Sequence, residues 1–206
     1  MWILAVITVV LGYLLGNFNG AVFVSHFLGD DVRNHGSGNA GLTNFIRNYG
    51  ASRSALVMLI DGGKAVAACV IGGLLLTDFI GFQSGAALGG VSVILGHAFP
   101  VLLGFRGGKG IFSGLFVAIV TDWRVALIIL AVFAIAYLAT QYVSLGSVLA
   151  AISFSLAFVV LHYDNAVTMI CGVLTGLLAT YLHKGNIVRL IKGQERKTNL
   201  FKKDKE

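Results

Sequence analysis

The chain has 206 residues, of which 57% are hydrophobic and 12% charged, with a formal net charge of +6. A soluble domain carries about 25% charged residues, so a water-soluble globule is excluded and lipid is the expected solvent. The positive excess does not point to nucleic acid, because the basic residues sit between apolar stretches and in the C-terminal segment, where positive-inside topology puts them.

A helical span needs about 20 apolar residues to cross a hydrocarbon core of about 30 Å. The first predicted span runs from Trp2 to Leu28, interrupted by Gly12, Gly16, Asn17, Asn19 and Gly20. No basic segment precedes Trp2-Ile3-Leu4, so this start reads as a span and not as a cleavable signal. A polar stretch follows, from Gly29 to Arg53. The second span, Ala55 to Leu76, carries Asp61 and Lys64, and Thr77-Asp78 reads as a turn. The third, Gly81 to Leu103, is glycine-rich and contains the only proline, Pro100. A basic glycine-rich loop, Gly104 to Gly110, leads into Ile111 to Val120, which at 1.5 Å per residue covers only about 15 Å and reads as a half-span. Thr121 to Arg124 is a turn, Val125 to Thr140 the fifth apolar segment, Ser147 to Leu161 the sixth and Ala166 to Leu182 the seventh. Residues 183–206 form a polar, basic tail. Cys69 and Cys171 lie in apolar spans without metal-ligand spacing and read as small core residues.

These segments predict an all-α integral membrane protein. It is a single polytopic domain of about seven transmembrane helices, with short half-helices and glycine-rich cytoplasmic loops. Seven crossings put residues 29–53, 104–110, 141–146 and 183–206 on one side. That side holds 13 of the 15 Lys and Arg residues, while the opposite turns hold Arg124 beside Asp78, Asp122 and Asp164. The crowded side is therefore expected in the cytoplasm and the N-terminus outside. This inference rests on the short fourth segment crossing.

The first polar loop contains Gly36-Ser37-Gly38-Asn39-Ala40-Gly41-Leu42-Thr43-Asn44 followed by Arg47. Glycines let backbone amides turn inward, and Ser, Thr and Asn add donors, a combination that surrounds an anion. Arg47 then supplies a bidentate phosphate contact. The bland alternative is a glycine-rich turn with Thr43 or Asn44 capping a helix. The second loop, Gly96 to Gly110, ends in Gly107-Gly108-Lys109-Gly110 at a helix start, which brings amides, the positive helix end and an ammonium together. It is not a Walker A loop: no strand precedes it and Gly110 stands where Ser or Thr would follow the lysine. A tight interfacial turn with snorkelling Arg106 and Lys109 is the plain alternative.

Asp61 and Lys64, three residues apart, share a helix face, and charge inside a span is a functional hypothesis by default. A self-neutralised pair facing the bundle is equally compatible. Ser144 and Ser147 sit at a helix start. His183, Asn186 and Arg189 fall on one face of the tail segment, which also reads as an interfacial amphipathic stretch. His26 and Asp31 form a His-x4-Asp pattern known from another acyltransferase class, where histidine is the base. Here it stands at a span end without that class's flanking pattern.

In this order the segments resemble the bacterial acyl-phosphate:glycerol-3-phosphate acyltransferases, the PlsY family. The residues that carry the likeness are Gly36-Ser37-Gly38-Asn39 with Thr43-Asn44 and Arg47; Asp61 and Lys64; Gly96-His97, Phe99-Pro100 and Gly107 to Gly110; Tyr142 to Leu145 with Ser147; and His183, Asn186-Ile187, Arg189-Leu190, Gly193 and Glu195. The sequence departs from the family pattern at Asn17-Phe18-Asn19, Ala40, Arg106, Phe112-Ser113, Gln141 and Gln194.

The resemblance implies transfer of a fatty acyl group from acyl-phosphate to the 1-hydroxyl of glycerol 3-phosphate, in phospholipid biosynthesis at the bacterial inner membrane. The lipid bilayer is the one partner implied besides the substrates; no cofactor, metal, nucleic acid or obligate protein partner is expected. Ser37, Arg47, Lys109 and His183 are the implied catalytic residues. Gly36, Gly38, Asn39, Thr43, Asn44, Lys64, His97, Gly107, Gly108, Gly110, Ser144, Ser147, Asn186, Arg189 and Glu195 are the implied substrate contacts. The competing class is a transporter of a phosphorylated metabolite, which predicts a mid-membrane site and polar groups on both faces. A paralogue with altered substrate is the other alternative.

Overall fold

The computed structural model describes residues 1–198, so the tail lysines Lys202, Lys203 and Lys205 lie outside the described residues. Ten α-helices follow in order: α1 Trp2–Asn17, α2 Gly20–Phe27, α3 Leu42–Tyr49, α4 Ala51–Ile80, α5 Phe82–Ala98, α6 Ile111–Thr121, α7 Trp123–Thr140, α8 Val143–Leu161, α9 Ala166–Leu182 and α10 Lys184–Ile191. Five helical stretches among the described residues are long and apolar enough to cross a membrane, with α1 and α2 together as the first of them. The pair α9 and α10, bent by 54°, adds a sixth.

The first predicted span is broken at Phe18, where its polar residues supply the missing backbone partners. Asn19 caps α2 by accepting from the Val22 amide at 3.0 Å and donates to Ala40 O at 2.9 Å. Asn17 Oδ1 accepts from the Leu102 amide at 3.1 Å. Lys64 Nζ donates to the carbonyls of Gly16 and Phe18, at 3.3 and 2.9 Å.

Thr77 and Asp78 are not a turn. The helix continues to Ile80 and stops at Gly81, whose φ of +79° ends α4 and opens α5. Helix α5 lies between α1 and α4 with its backbone against both. A methyl on Gly85 would overlap Gly72 O, and one on Gly96 would overlap Tyr13 O. Small residues at helix contacts are how membrane bundles gain packing without a hydrophobic drive.

From α5 the packing runs through α6, α7, α8 and α9 and back to α5, a closed ring. Its core holds Ile94, Val117, Ala118, Val125, Ile129, Phe154 and Phe158.

The short fourth segment has a structural cause. After α5 the chain turns back into the bundle: the Gly108 amide donates to His97 O at 3.0 Å, and Gly110, at φ +75°, rests on Ile94. Helix α6 therefore starts about one turn below the end of α5. It still reaches the opposite end, where Gln83 Nε2 donates to Thr121 O at 2.9 Å. There Asp122 pairs with His162 at 3.0 Å and Ser84 donates to Asn165 at 3.1 Å. The turns around 81–84, 121–124 and 162–165 thus share one end. The loops 29–50, 99–110, 141–142 and 183–198 share the other; this alternation counts α6, which is too short to be among the five or six membrane-capable stretches, as a pass of its own beside the seven expected.

Three element starts differ from the sequence reading, the first being α4, which begins at Ala51 and not at Ala55. Trp123 and Arg124 belong to α7, which Asp122 caps by accepting from the Arg124 amide at 2.9 Å. Gln141 adopts φ 62° and ends α7, so α8 begins at Val143 and already includes Ser144 and Ser147.

Candidate active site

The four loops of the crowded end enclose a cavity of about 690 Å³. Its upper wall is polar and cationic. Its lower wall, made by Phe112, Leu115, Ile129, Leu130 and Phe133, is apolar.

In the glycine-rich loop, Asn44 is an internal clamp. Its Nδ2 donates to Val32 O, His35 O and Asn39 O at 3.0–3.1 Å, and its Oδ1 accepts from the Ser37 amide at 3.0 Å. That clamp presents Gly36, Ser37, Asn39, Gly41 and Thr43 to the cavity. One turn further along α3, Arg47 lines the same space and donates from Nε to Thr198 Oγ1 at 2.9 Å.

On the far side, Lys109 Nζ donates to Asn186 Oδ1. Asn186 Nδ2 donates to Glu195 Oε1 at 3.1 Å, and Arg189 Nε donates to Glu195 Oε2 at 2.7 Å. Burial, then the nearby Arg189, pushes the Lys109 ammonium below the ordinary lysine range; Glu195 opposes this and Arg47 adds to it. Burial likewise disfavours the Arg47 charge. Arg47, Lys109, Arg189 and Arg196 thus line one cavity with Glu195 and, at its floor, Asp61 as the acids. Such a set favours an anion, since an added phosphate relieves the repulsion among the cations.

His183 Nδ1 lies 2.7 Å from Ala179 O. A carbonyl only accepts, so Nδ1 carries the hydrogen, and in the neutral ring Nε2 holds the lone pair. Ser144 Oγ is buried in the cavity wall and, among the described residues, has no hydrogen-bond partner. Ser147, Gly110 and His97 also line the cavity.

Four expected contacts stand elsewhere. Lys64 is not on the cavity wall: its Nζ is held by Asp61 at 2.7 Å, His97 Nδ1 at 2.9 Å and the two α1 carbonyls. It locks the helix break, and a ligand would have to displace four partners. Gly107 and Gly108 are pressed against His97, where any side chain would overlap it, and the Gly108 amide is already bonded. Close packing, more than free amides, is what these glycines serve. Gly38 takes φ +69° as a turn residue off the wall. The His26–Asp31 pair does not assemble, because Asp31 is bound by Arg33 at 2.7 Å.

The sequence reading missed Asn48, Gln194, Arg196 and the apolar wall, and it missed Thr198 as the partner of Arg47. Thr198 is 151 residues from Arg47 and in no motif, so no sequence signal links them.

The family model described as glycerol-3-phosphate acyltransferase matches residues 6–193. A glycerol-3-phosphate acyltransferase of Thermoanaerobacter sp. (strain X514) is 40% identical over 151 residues, 73% of this chain and 74% of that protein. One from Clostridioides difficile (strain 630) is 39% identical over 146 residues, 69% of this chain and 71% of its own length. Among solved structures, PlsY (YgiH), an integral membrane glycerol 3-phosphate acyltransferase, in its glycerol 3-phosphate form superposes with a TM-score of 0.86 at 33% identity, covering 96% of this chain and 99% of that one. Its lysophosphatidic acid form gives 0.83 at 32% identity, over 95% and 96%. With more than half of its length matched, with relatives this similar, and with a multi-pass helical bundle around the cavity, the chain belongs to the glycerol-3-phosphate acyltransferase family.

Proposed function

We propose that the protein transfers a fatty acyl group from an acyl-phosphate to the 1-hydroxyl of glycerol 3-phosphate, giving lysophosphatidic acid and phosphate. One observation carries this reading: cationic and apolar side chains line the same cavity, the combination that two phosphates and a hydrocarbon chain held together would need. The related PlsY structures in glycerol 3-phosphate and lysophosphatidic acid forms support it.

Ser37, Arg47, Lys109, His183 and Asn186 would hold glycerol 3-phosphate; Lys109 and the Ser144 hydroxyl, which has no partner among the described residues, would hold the acyl-phosphate. The 1-hydroxyl oxygen bonds to the acyl carbonyl carbon as the bond from that carbon to the phosphate oxygen breaks. The hydroxyl proton passes to the departing phosphate or to His183 Nε2. Because the donor is already activated, positioning and charge stabilisation supply most of the catalysis.

The protein would work in the bacterial inner membrane with the cavity end cytoplasmic, a placement supported by 10 of the 12 Lys and Arg among the described residues lying at that end. A transporter reading draws support from the buried Asp61 and Lys64, but both are engaged in holding a helix break.

Purified protein supplied with glycerol 3-phosphate and palmitoyl-phosphate is expected to form lysophosphatidic acid, and palmitoyl-CoA is expected not to replace the donor. Turnover with the CoA ester alone would sink the donor assignment. Lys109→Ala should lower kcat/KM by about 100-fold or more; near-normal turnover would remove Lys109 from the site.

A further inference from the structure

A second, smaller cavity of about 30 Å³ lies inside the helix ring, between α6, α8 and α9. It shares Gly110, Ile111, Ile129 and Ala150 with the main cavity and is lined beyond them by Phe154. Its remaining walls include Gly114, Ala151 and Gly176. The nearby Thr175 hydroxyl is spent on Cys171 O at 2.8 Å. This hollow is apolar, and such a space stays dry unless a hydrocarbon fills it.

Gly114 supplies an independent sign of vacancy. Six glycines have no neighbour within 4 Å of where a side chain would start: Gly29, Gly63, Gly81, Gly104, Gly114 and Gly193. Five of them are exposed, and Gly114 alone is buried. Interiors are close-packed, so a buried position with nothing opposite it is uncommon. The volume matches about two methylene-sized groups, taking about 10–15 Å³ for one water-sized group.

We infer that this hollow is the seat for the end of the substrate's acyl chain, and that Gly114 and Phe154 set the chain length the enzyme prefers. The inference rests on the acyl-phosphate reading. The chain enters along Phe112, Ile129 and Phe133, passes Ala150, and stops at the Phe154 ring, which is 4% exposed and packed on Phe158 with ring centres 5.0 Å apart. Leu130, which also lines the main cavity, is half exposed and marks a lateral way out. A chain leaving there would meet no floor and would not be measured.

The test is a series of acyl-phosphates from decanoyl to stearoyl, assayed with saturating glycerol 3-phosphate on the whole purified chain. Gly114→Leu is expected to shift the preferred length shorter, with kcat/KM falling about tenfold for each methylene displaced, while KM for glycerol 3-phosphate stays unchanged. Phe154→Ala is expected to shift the preference longer. Gly114→Ala, a change within the void, gives the smaller shift and stands in if the leucine disturbs α6. Equal scaling of all lengths in these variants would overturn the subsite and leave the donor reading intact. A wild-type protein inactive with every acyl-phosphate would overturn the donor reading and the subsite with it.

Discussion

Lys109 is placed where its charge is conditional. Burial and neighbouring arginines hold its proton less tightly than in an ordinary lysine, whose pKa is about 10.4. As pH rises, the free enzyme therefore loses the ammonium early, and affinity for a phosphate dianion falls with it. The alkaline limb of kcat/KM, which reports the free enzyme, is expected below the ordinary lysine range. The limb of kcat should sit higher, because bound phosphate stabilises the ammonium. Lys109→Arg should move the kcat/KM limb upward, and an unmoved limb would assign it to another group. At this scale the sequence announced Arg47, Lys109 and His183 by residue type and setting. It did not separate residues whose polar atoms are open to the cavity from residues whose polar atoms hold its wall together. Asn44 and Lys64 have the right chemistry to bind phosphate, yet their donors go to backbone carbonyls of the fold itself. A polar residue in a motif signals that a hydrogen bond is needed, but its partner is set by folding.

The break between α1 and α2 is the element on which the site leans. Asp61 Oδ1 accepts from the Gly20 amide at 3.0 Å and holds Lys64, which holds the end of α1. Asp61→Asn would leave a buried cation short of its counter-charge. Removing one partner of such a pair costs about 3–5 kcal/mol, so a clear drop in the thermal unfolding temperature in detergent is expected, partly recovered by adding Lys64→Met. Wild-type stability of the single variant would show the pair to be dispensable to the fold. Asn17, Asn19 and Gly20 were readable as interruptions of an apolar run, and a break does occur there. Thr77 and Asp78 misled because polarity alone does not stop a helix; the left-handed glycine after them does.

Across the whole molecule, the sequence reached the helical class, the alternation of ends and the crowding of basic loops at one of them. The closed ring of five helices was not legible, since apolar residues that face lipid and those that face a neighbour look alike when both solvents are apolar. Orientation can be checked with single cysteines, because Cys69 and Cys171 are buried. In intact cells an impermeant thiol reagent should label Tyr163→Cys and spare Arg53→Cys; labelling of the latter from outside would reverse the proposed topology. The shortness of α6 has a consequence for the lipid itself. Its 11 residues rise only about 17 Å against a hydrocarbon layer of about 30 Å. Roughly 13 Å of that depth is therefore bridged by the infolded loop and the polar mouth of the cavity. Beside α6 the bilayer faces hydrophobic mismatch and must thin or admit water. The thickness of the surrounding membrane thus sets how far a charged headgroup must sink before it meets the enzyme.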